Sequence, residues 1–522
     1  MGRLSHVAAL GLSCALAGCA SFSWEQNAAL PQGGKLDAPY ALASVADRTD
    51  PRYLILFAFS GGGKRSASFG YGALKAARAV EMPDKTTLTK QIDMVSGVSG
   101  GSFTASAFAL YGDGIFDDRL VDPRGKRHPS YKSFLNSDTN ASILEIYLDP
   151  LHWQWMANPH IGTNDEMEQT YERDLFGDTT YKDMALSGRP YLIVQATDLD
   201  AQQPFTFTQT DFDLICSDLS SVKLSRAVAA SNGFPVLFSP IGLEMYSYPM
   251  SPGAVMPGND KLGPCPDLPW RHPAAPYKPF SREALLAGRA DLYAPSGMRK
   301  DQASYVHLAD GGLSDNLALR GAASIWTRMR MQMPSVPCSI AVPSSADADA
   351  CETLGRLHLE KVEHILIVSV DGEAEPDRTK EIGVPVLGGL TRIADTVLNS
   401  VIDSANLSTL PLAAEATEDF RQTVGSLKCR AAGLDDMYCK TPPAQYLPKA
   451  TFAHVALSEW SRNNPALAGD AGNSPTGLSL RAGDAATLTG AGCLAFLSND
   501  DIRTFLADVG AQVGTDRPCA KD

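Results

Sequence analysis

Seven consecutive residues, Tyr53-Leu54-Ile55-Leu56-Phe57-Ala58-Phe59, are apolar with no polar residue between them. A strand with one wet face alternates, so an unbroken run predicts a strand buried on both faces, as in a parallel sheet covered by helices. Comparable runs recur at 92–96, 191–197, 306–309 and 364–370, separated by helix-forming stretches such as 69–80, 102–110 and 224–230. Strands alternating with helices predict an α/β layer architecture. Two stretches break the pattern. Residues 246–277 are rich in Pro and Gly around Trp270, which predicts a long insertion or lid loop reaching to about 281. Beyond about Leu410 the periodicity weakens, and the Ala/Gly/Asn/Pro-rich segment 463–477 predicts loops before a short terminal helix at 499–509.

Composition narrows the function classes. Of 522 residues 44% are hydrophobic, enough for a sizeable core, and 59 acidic against 45 basic residues give a formal charge of -14. With no dense Lys/Arg block, the chain lacks the clustered cations that a nucleic-acid binder needs. No CxxC, HExxH or His-x-x-x-His spacing occurs, so neither a catalytic metal nor a cofactor is expected.

The amino terminus reads as an address. Residues 7–20 form an apolar run behind Arg3, shorter than the ~20 residues of a bilayer span but suited to a signal-peptide core. It ends in Leu16-Ala17-Gly18-Cys19, which resembles the lipobox of bacterial lipoproteins. That resemblance implies cleavage after residue 18 and acylation of Cys19. Ala20 in place of Asp is similar to the pattern of lipoproteins delivered to the outer membrane, facing the periplasm or cell surface. Without Cys14 and Cys19, eight of the 10 cysteines remain, an even number suited to an oxidising compartment. Their pairing is open among about 105 connectivities, with Cys338–Cys351 and Cys429–Cys439 as short closures. The expected organisation is a leader (1–18), a lipidated linker (19–49), a main domain (50–409) and a disulfide-stabilised carboxyl-terminal appendage (410–522).

The candidate chemistry lies in two glycine-rich turns, each between a buried run and a helix. Gly97-Val98-Ser99-Gly100-Gly101 is G-x-S-x-G in strand–turn–helix context, which exposes a serine hydroxyl on a sharp turn and makes Ser99 the candidate nucleophile. The competing reading is a Ser-capped helix after a tight turn. In Ser60-Gly61-Gly62-Gly63-Lys64-Arg65, Ala58 and Arg65 stand where a phosphate loop requires Gly and Ser or Thr. Ser66 breaks a dinucleotide-binding pattern. Three glycines at a strand end can instead aim bare N–H groups into a cavity, so Gly62 and Gly63, with Gly100 beside the nucleophile, are candidate oxyanion donors. Lys64 and Arg65 are candidates for a phosphate contact or for bracing the loop. A base is still required: Asp310, on the turn Asp310-Gly311-Gly312 after the run 306–309, competes with His358, His364 and His454.

These three motifs, in this order, resemble the patatin-like phospholipases. Further similar segments are Tyr71-Gly72-Ala73-Leu74, Ala196-Thr197-Asp198-Leu199, the stretch 212–219, Ala227-Val228-Ala229-Ala230-Ser231 and Leu313-Ser314-Asp315-Asn316. The likeness runs from about Arg52 to Leu319. It implies a three-layer α/β/α fold with a mainly parallel central sheet and a Ser99–Asp310 dyad without histidine, which hydrolyses lipid acyl esters of the phospholipase A or lysophospholipase kind. Ser60 and Ser66 depart from the family's more frequent Asp and Gly. Phe205, Phe207 and Trp270 are candidates for an acyl groove, with core packing as the competing reading. A thioesterase, an acyltransferase and a silent envelope-binding lipoprotein remain open on the same scaffold, and oligomeric state is not legible.

Overall fold

The computed structural model describes residues 27–30, 40–42, 50–139, 162–187, 190–235, 238–246, 278, 281–293, 304–331, 355–373, 390–468, 474, 476–514 and 519. The leader, Cys19, the stretch around Trp270, and Cys265, Cys338 and Cys351 lie outside them.

The first apolar run is strand β1 (Tyr53–Phe59), buried at every position. It leads into helix α1 (Gly63–Arg78), strand β2 (Met94–Val98) and helix α2 (Gly100–Tyr111). Strands β3 (Tyr191–Asp198) and β4 (Gln203–Thr206) follow, then helix α3 (Leu224–Ser231) and strands β5 (Ile241–Met245) and β6 (Ser304–Ala309). Beyond these come helix α4 (Arg320–Met331), strand β7 (His364–Asp371), the long helix α5 (Leu390–Ala431), strand β8 (Lys449–Ala456) and helices α6 (Asp484–Ser498) and α7 (Asp500–Val509).

All eight strands share one sheet, in the order β5-β6-β3-β2-β1-β7-β8, with β4 also paired to β3. The five strands from β3 to β8 in that order run parallel. Because β1, β2 and β3 are buried throughout, both faces of the sheet are covered, as unbroken apolar runs require. β6 differs: it enters antiparallel to β3 and overlaps only its end, Leu308 opposite Asp198 and Ala309 opposite Thr197. Asp310 is thereby lowered onto the carboxyl edge of the parallel strands.

The expected carboxyl-terminal appendage is corrected by this topology. β8 pairs with β7 along its whole length, from His364 opposite Lys449 to Asp371 opposite Ala456. α6 lies on α1 with backbone touching backbone: a Cβ on Gly72 would stand 2.0 Å from the Thr489 carbonyl oxygen, and one on Gly492 2.0 Å from that of Phe69. The tail is thus part of the main body. α6 is apolar nearly all round, which suits a helix with several buried faces and explains why its sequence shows no clear stripe. Disulfides Cys429–Cys439, one of the two expected closures, and Cys493–Cys519 tie this region together, and Cys216 is also disulfide-bonded.

Candidate active site

Parallel pairing of β1 with β2 places Phe59 opposite Gly97, so the two glycine-rich turns emerge side by side at the carboxyl edge of the sheet. Their backbones then touch. A Cβ on Gly100 would stand 2.0 Å from the Gly63 carbonyl oxygen, and one on Gly101 2.2 Å from that of Phe59. Only glycine permits that approach. The amino-terminal ends of α1 and α2 therefore meet, and both helix dipoles present their positive ends to the same place. Among the described residues, the N–H groups of Gly62, Gly63 and Gly100 donate to no protein acceptor.

Ser99 is the residue before α2 and has φ 48° and ψ -127°, a conformation that costs about 1–3 kcal/mol outside glycine. Its Oγ donates to Asp310 Oδ2 at 2.9 Å. The other carboxylate oxygen, Oδ1, accepts the Gly312 N–H at 2.8 Å. Thr197 holds the same turn through its Oγ1, which donates to the Asp310 carbonyl at 2.8 Å. Burial pushes the Asp310 carboxyl up from 3.8 to about 6, against the hydrogen bonds from Gly312 and Ser99, which pull it down.

Lys64 and Arg65 do not face this site as free cations. Lys64 is fully buried, and its Nζ donates to the Phe134 carbonyl (2.7 Å), the Ser137 carbonyl (2.6 Å) and Ser137 Oγ (2.8 Å), while lying over the Phe134 ring. Burial lowers its pKa to about 8. Arg65 donates to the carbonyls of Gly372 (2.8 Å) and Ser474 (2.9 Å). Through these bonds both side chains fasten the loop to neighbouring segments. Ser60 and Ser66 join the brace: Ser66 Oγ donates to the Ser60 carbonyl at 2.6 Å, and Ser60 Oγ accepts the Gly372 N–H at 2.9 Å. Lys64 N–H closes the ring on the Gly477 carbonyl at 2.8 Å.

The three candidate histidines are elsewhere. His454 sits on β8 with Nδ1 3.2 Å from Ser369 Oγ, and β7 and β1 lie between β8 and β2, a separation of about 14 Å at the usual strand spacing. His364 opens β7 at the end of the sheet opposite the glycine turns, and His358 is exposed beside Glu360. Phe205 and Phe207 are fully buried and pack on Phe212, so they belong to the core and not to a groove.

Contacts that the motifs did not announce complete the site. The Asn316 carbonyl accepts the Gly61 N–H at 2.8 Å, and Ser231 Oγ accepts the Ser99 N–H at 2.8 Å. Asn316 and Ser231 fall in segments that resemble the family, but spacing alone gives no reason to single them out.

A sequence model of the patatin-like phospholipases matches residues 57–323, just over half of the chain. The chain belongs to that family, one of lipid acyl hydrolases. Among solved structures it is similar to human GIVD cytosolic phospholipase A2, at 14% identity and a TM-score of 0.33, covering 90% of this chain and 64% of that one. The chain thus spans somewhat less than two thirds of that protein's length. No curated protein matches.

Proposed function

We propose that the chain is a serine acylhydrolase that cleaves acyl esters of phospholipids or related lipids, with Ser99 as nucleophile and Asp310 as base. One observation carries the reading: a strained serine at a helix amino terminus donates to a buried carboxylate at 2.9 Å, 211 residues further along the chain. Ser99 Oγ attacks the ester carbonyl as Asp310 accepts its proton. The oxyanion of the tetrahedral intermediate takes hydrogen bonds from Gly62, Gly63 and Gly100 N–H, each worth about 3 kcal/mol in a dry site. Collapse expels the alcohol, which takes the proton back from Asp310. Water, deprotonated by the same carboxylate, then attacks the acyl-enzyme, and the fatty acid leaves as Ser99 Oγ takes the proton back from Asp310.

The carboxyl pKa of about 6 suits this role, since the group is ionised at neutral pH yet basic enough to take a proton in the transition state. The lipobox supports a place for the enzyme at the bacterial outer membrane, anchored through acylated Cys19 and beside its substrate.

A fluorophosphonate probe followed by peptide mapping tests the chemistry. The wild type is expected to be labelled at Ser99, with label and esterase activity both lost in Ser99→Ala. Labelling that persists in Ser99→Ala refutes the assignment.

A further inference from the structure

The turn that holds Ser99 in its strained conformation is gripped from outside, by the last residue of α3 and the one that follows it. Ser231 Oγ accepts the Ser99 N–H at 2.8 Å and donates its own hydrogen to the Gln195 carbonyl at 2.5 Å. Asn232 Nδ2 donates to Ser102 Oγ at 2.9 Å, and Ser102 Oγ donates to the Ser99 carbonyl at 2.6 Å. The Ser99 N–H is thus held by the end of α3 directly, and its carbonyl is held by Ser102 of α2, which Asn232 in turn grips. Asn232 is itself anchored, its Nδ2 also donating to the Val228 carbonyl at 2.8 Å. The two residues are 0% and 4% exposed, so water does not compete for these bonds.

The same helix end also holds the carboxylate turn. The Ser231 carbonyl accepts the Gly311 N–H at 3.2 Å, and the Gly233 carbonyl accepts the Asp310 N–H at 2.9 Å. Residues 231–233 therefore touch both halves of the dyad, on one side through side chains and on the other through backbone. A residue in a sparsely populated conformation persists only when its surroundings over-determine it.

We infer that Ser231 and Asn232 are positioning residues, a clamp that sets the separation and orientation of Ser99 Oγ and Asp310. This rests on the hydrolase reading above. Losing either side chain lets Ser99 relax toward an ordinary conformation and moves Oγ away from the carboxylate, while leaving the surface that meets substrate unchanged.

The test measures kcat and KM on a soluble ester, the rate of fluorophosphonate inactivation and the unfolding midpoint for Ser231→Ala, Asn232→Ala and Ser225→Ala. Ser225 lies on the same helix, equally buried, and its Oγ has no hydrogen-bond partner among the described residues, so it reports what removing a buried hydroxyl from α3 does without breaking a bond to the Ser99 turn. Ser231→Ala and Asn232→Ala are expected to lower kcat and the inactivation rate about 10-fold to 100-fold with KM nearly unchanged, the size of effect that about 1 Å of misplacement produces. Ser225→Ala is expected to keep wild-type kinetics. If the wild type is labelled at Ser99 and the folded Ser231→Ala and Asn232→Ala variants are labelled equally fast, the clamp is refuted and the hydrolase reading stands. If the wild type itself is neither labelled nor active, the hydrolase reading fails and takes the clamp with it.

Discussion

Replacing Asp310 by Asn should leave the protein inert and, at neutral pH, sturdier. The substitution preserves shape: Asn Oδ1 can accept the Gly312 N–H that Asp310 Oδ1 now accepts, and its amide can donate to Ser99 Oγ. What it removes is a buried charge. The folded-state pKa of Asp310 lies at about 6 against 3.8 for the free side chain, so the folded state binds the proton more tightly than the unfolded chain does. Below pH ~4 both states are protonated and the group has no effect on stability. As pH rises from ~4 to ~6 the unfolded chain ionises first, and folding loses stability progressively. Above ~6 the full penalty applies, about 3 kcal/mol at 1.36 kcal/mol per tenfold. Urea unfolding of wild type and Asp310→Asn in parallel from pH 4 to 8, with disulfides intact, measures this directly. The stability difference should be small at pH 4, grow through pH 5 and level off above pH 6.5 at about 2–3 kcal/mol in favour of the variant. A variant weaker than wild type at pH 8, or two curves that stay parallel across the window, refutes the reasoning.

Three further outcomes follow from the same geometry. Because the base must be ionised, kcat/KM should rise tenfold per pH step below about 6 and level above it, following the Asp310 carboxyl; a profile flat from pH 5 to 7 would exclude Asp310 as the titrating base. Gly63→Ala would set a methyl 2.1 Å from the Gly477 carbonyl oxygen at a φ of +61°, so folded protein with wild-type turnover in an esterase assay would contradict the described loop. Opening the Cys493–Cys519 bridge by a double Ser substitution releases a loop closed over a sequence separation of 26 and should cost about 3–4 kcal/mol in chemical denaturation, whereas an unchanged midpoint would show that α6 holds α1 without it.

How far the sequence discloses this molecule depends on where each contact comes from. Runs such as 53–59 announce buried parallel strands because two covered faces leave no polar positions, and the structure puts a strand there. The pairing of Ser99 with Asp310 was foreshadowed only by motifs at strand ends, since 211 residues separate the two and no local pattern encodes that approach. The antiparallel entry of β6 was not legible, because direction within a sheet leaves no trace in a short apolar run. Nor was the role of the tail. β8 is exposed at its start, where Lys449 and Ala450 meet solvent, and so lacks the unbroken apolar run that marks β1. Lys64 and Arg65 look like phosphate ligands as a dipeptide, yet both donate to backbone carbonyls that only the folded chain supplies. Ser231 and Asn232 close an otherwise ordinary Ala-rich helix, and nothing in their spacing reveals what they hold.

The glycine-rich loop that opens α1 is tied down by groups that leave the ribosome late. Arg65 waits for Gly372 and Ser474, and Lys64 N–H waits for Gly477. A nascent chain therefore owns Ser99 long before it owns the fastenings around it. The segment 57–323 that carries the family likeness, excised alone, would leave β1 with a naked flank where β7 belongs and α1 without its α6 cover. Maturation of this catalyst is thereby tied to completion of its last third.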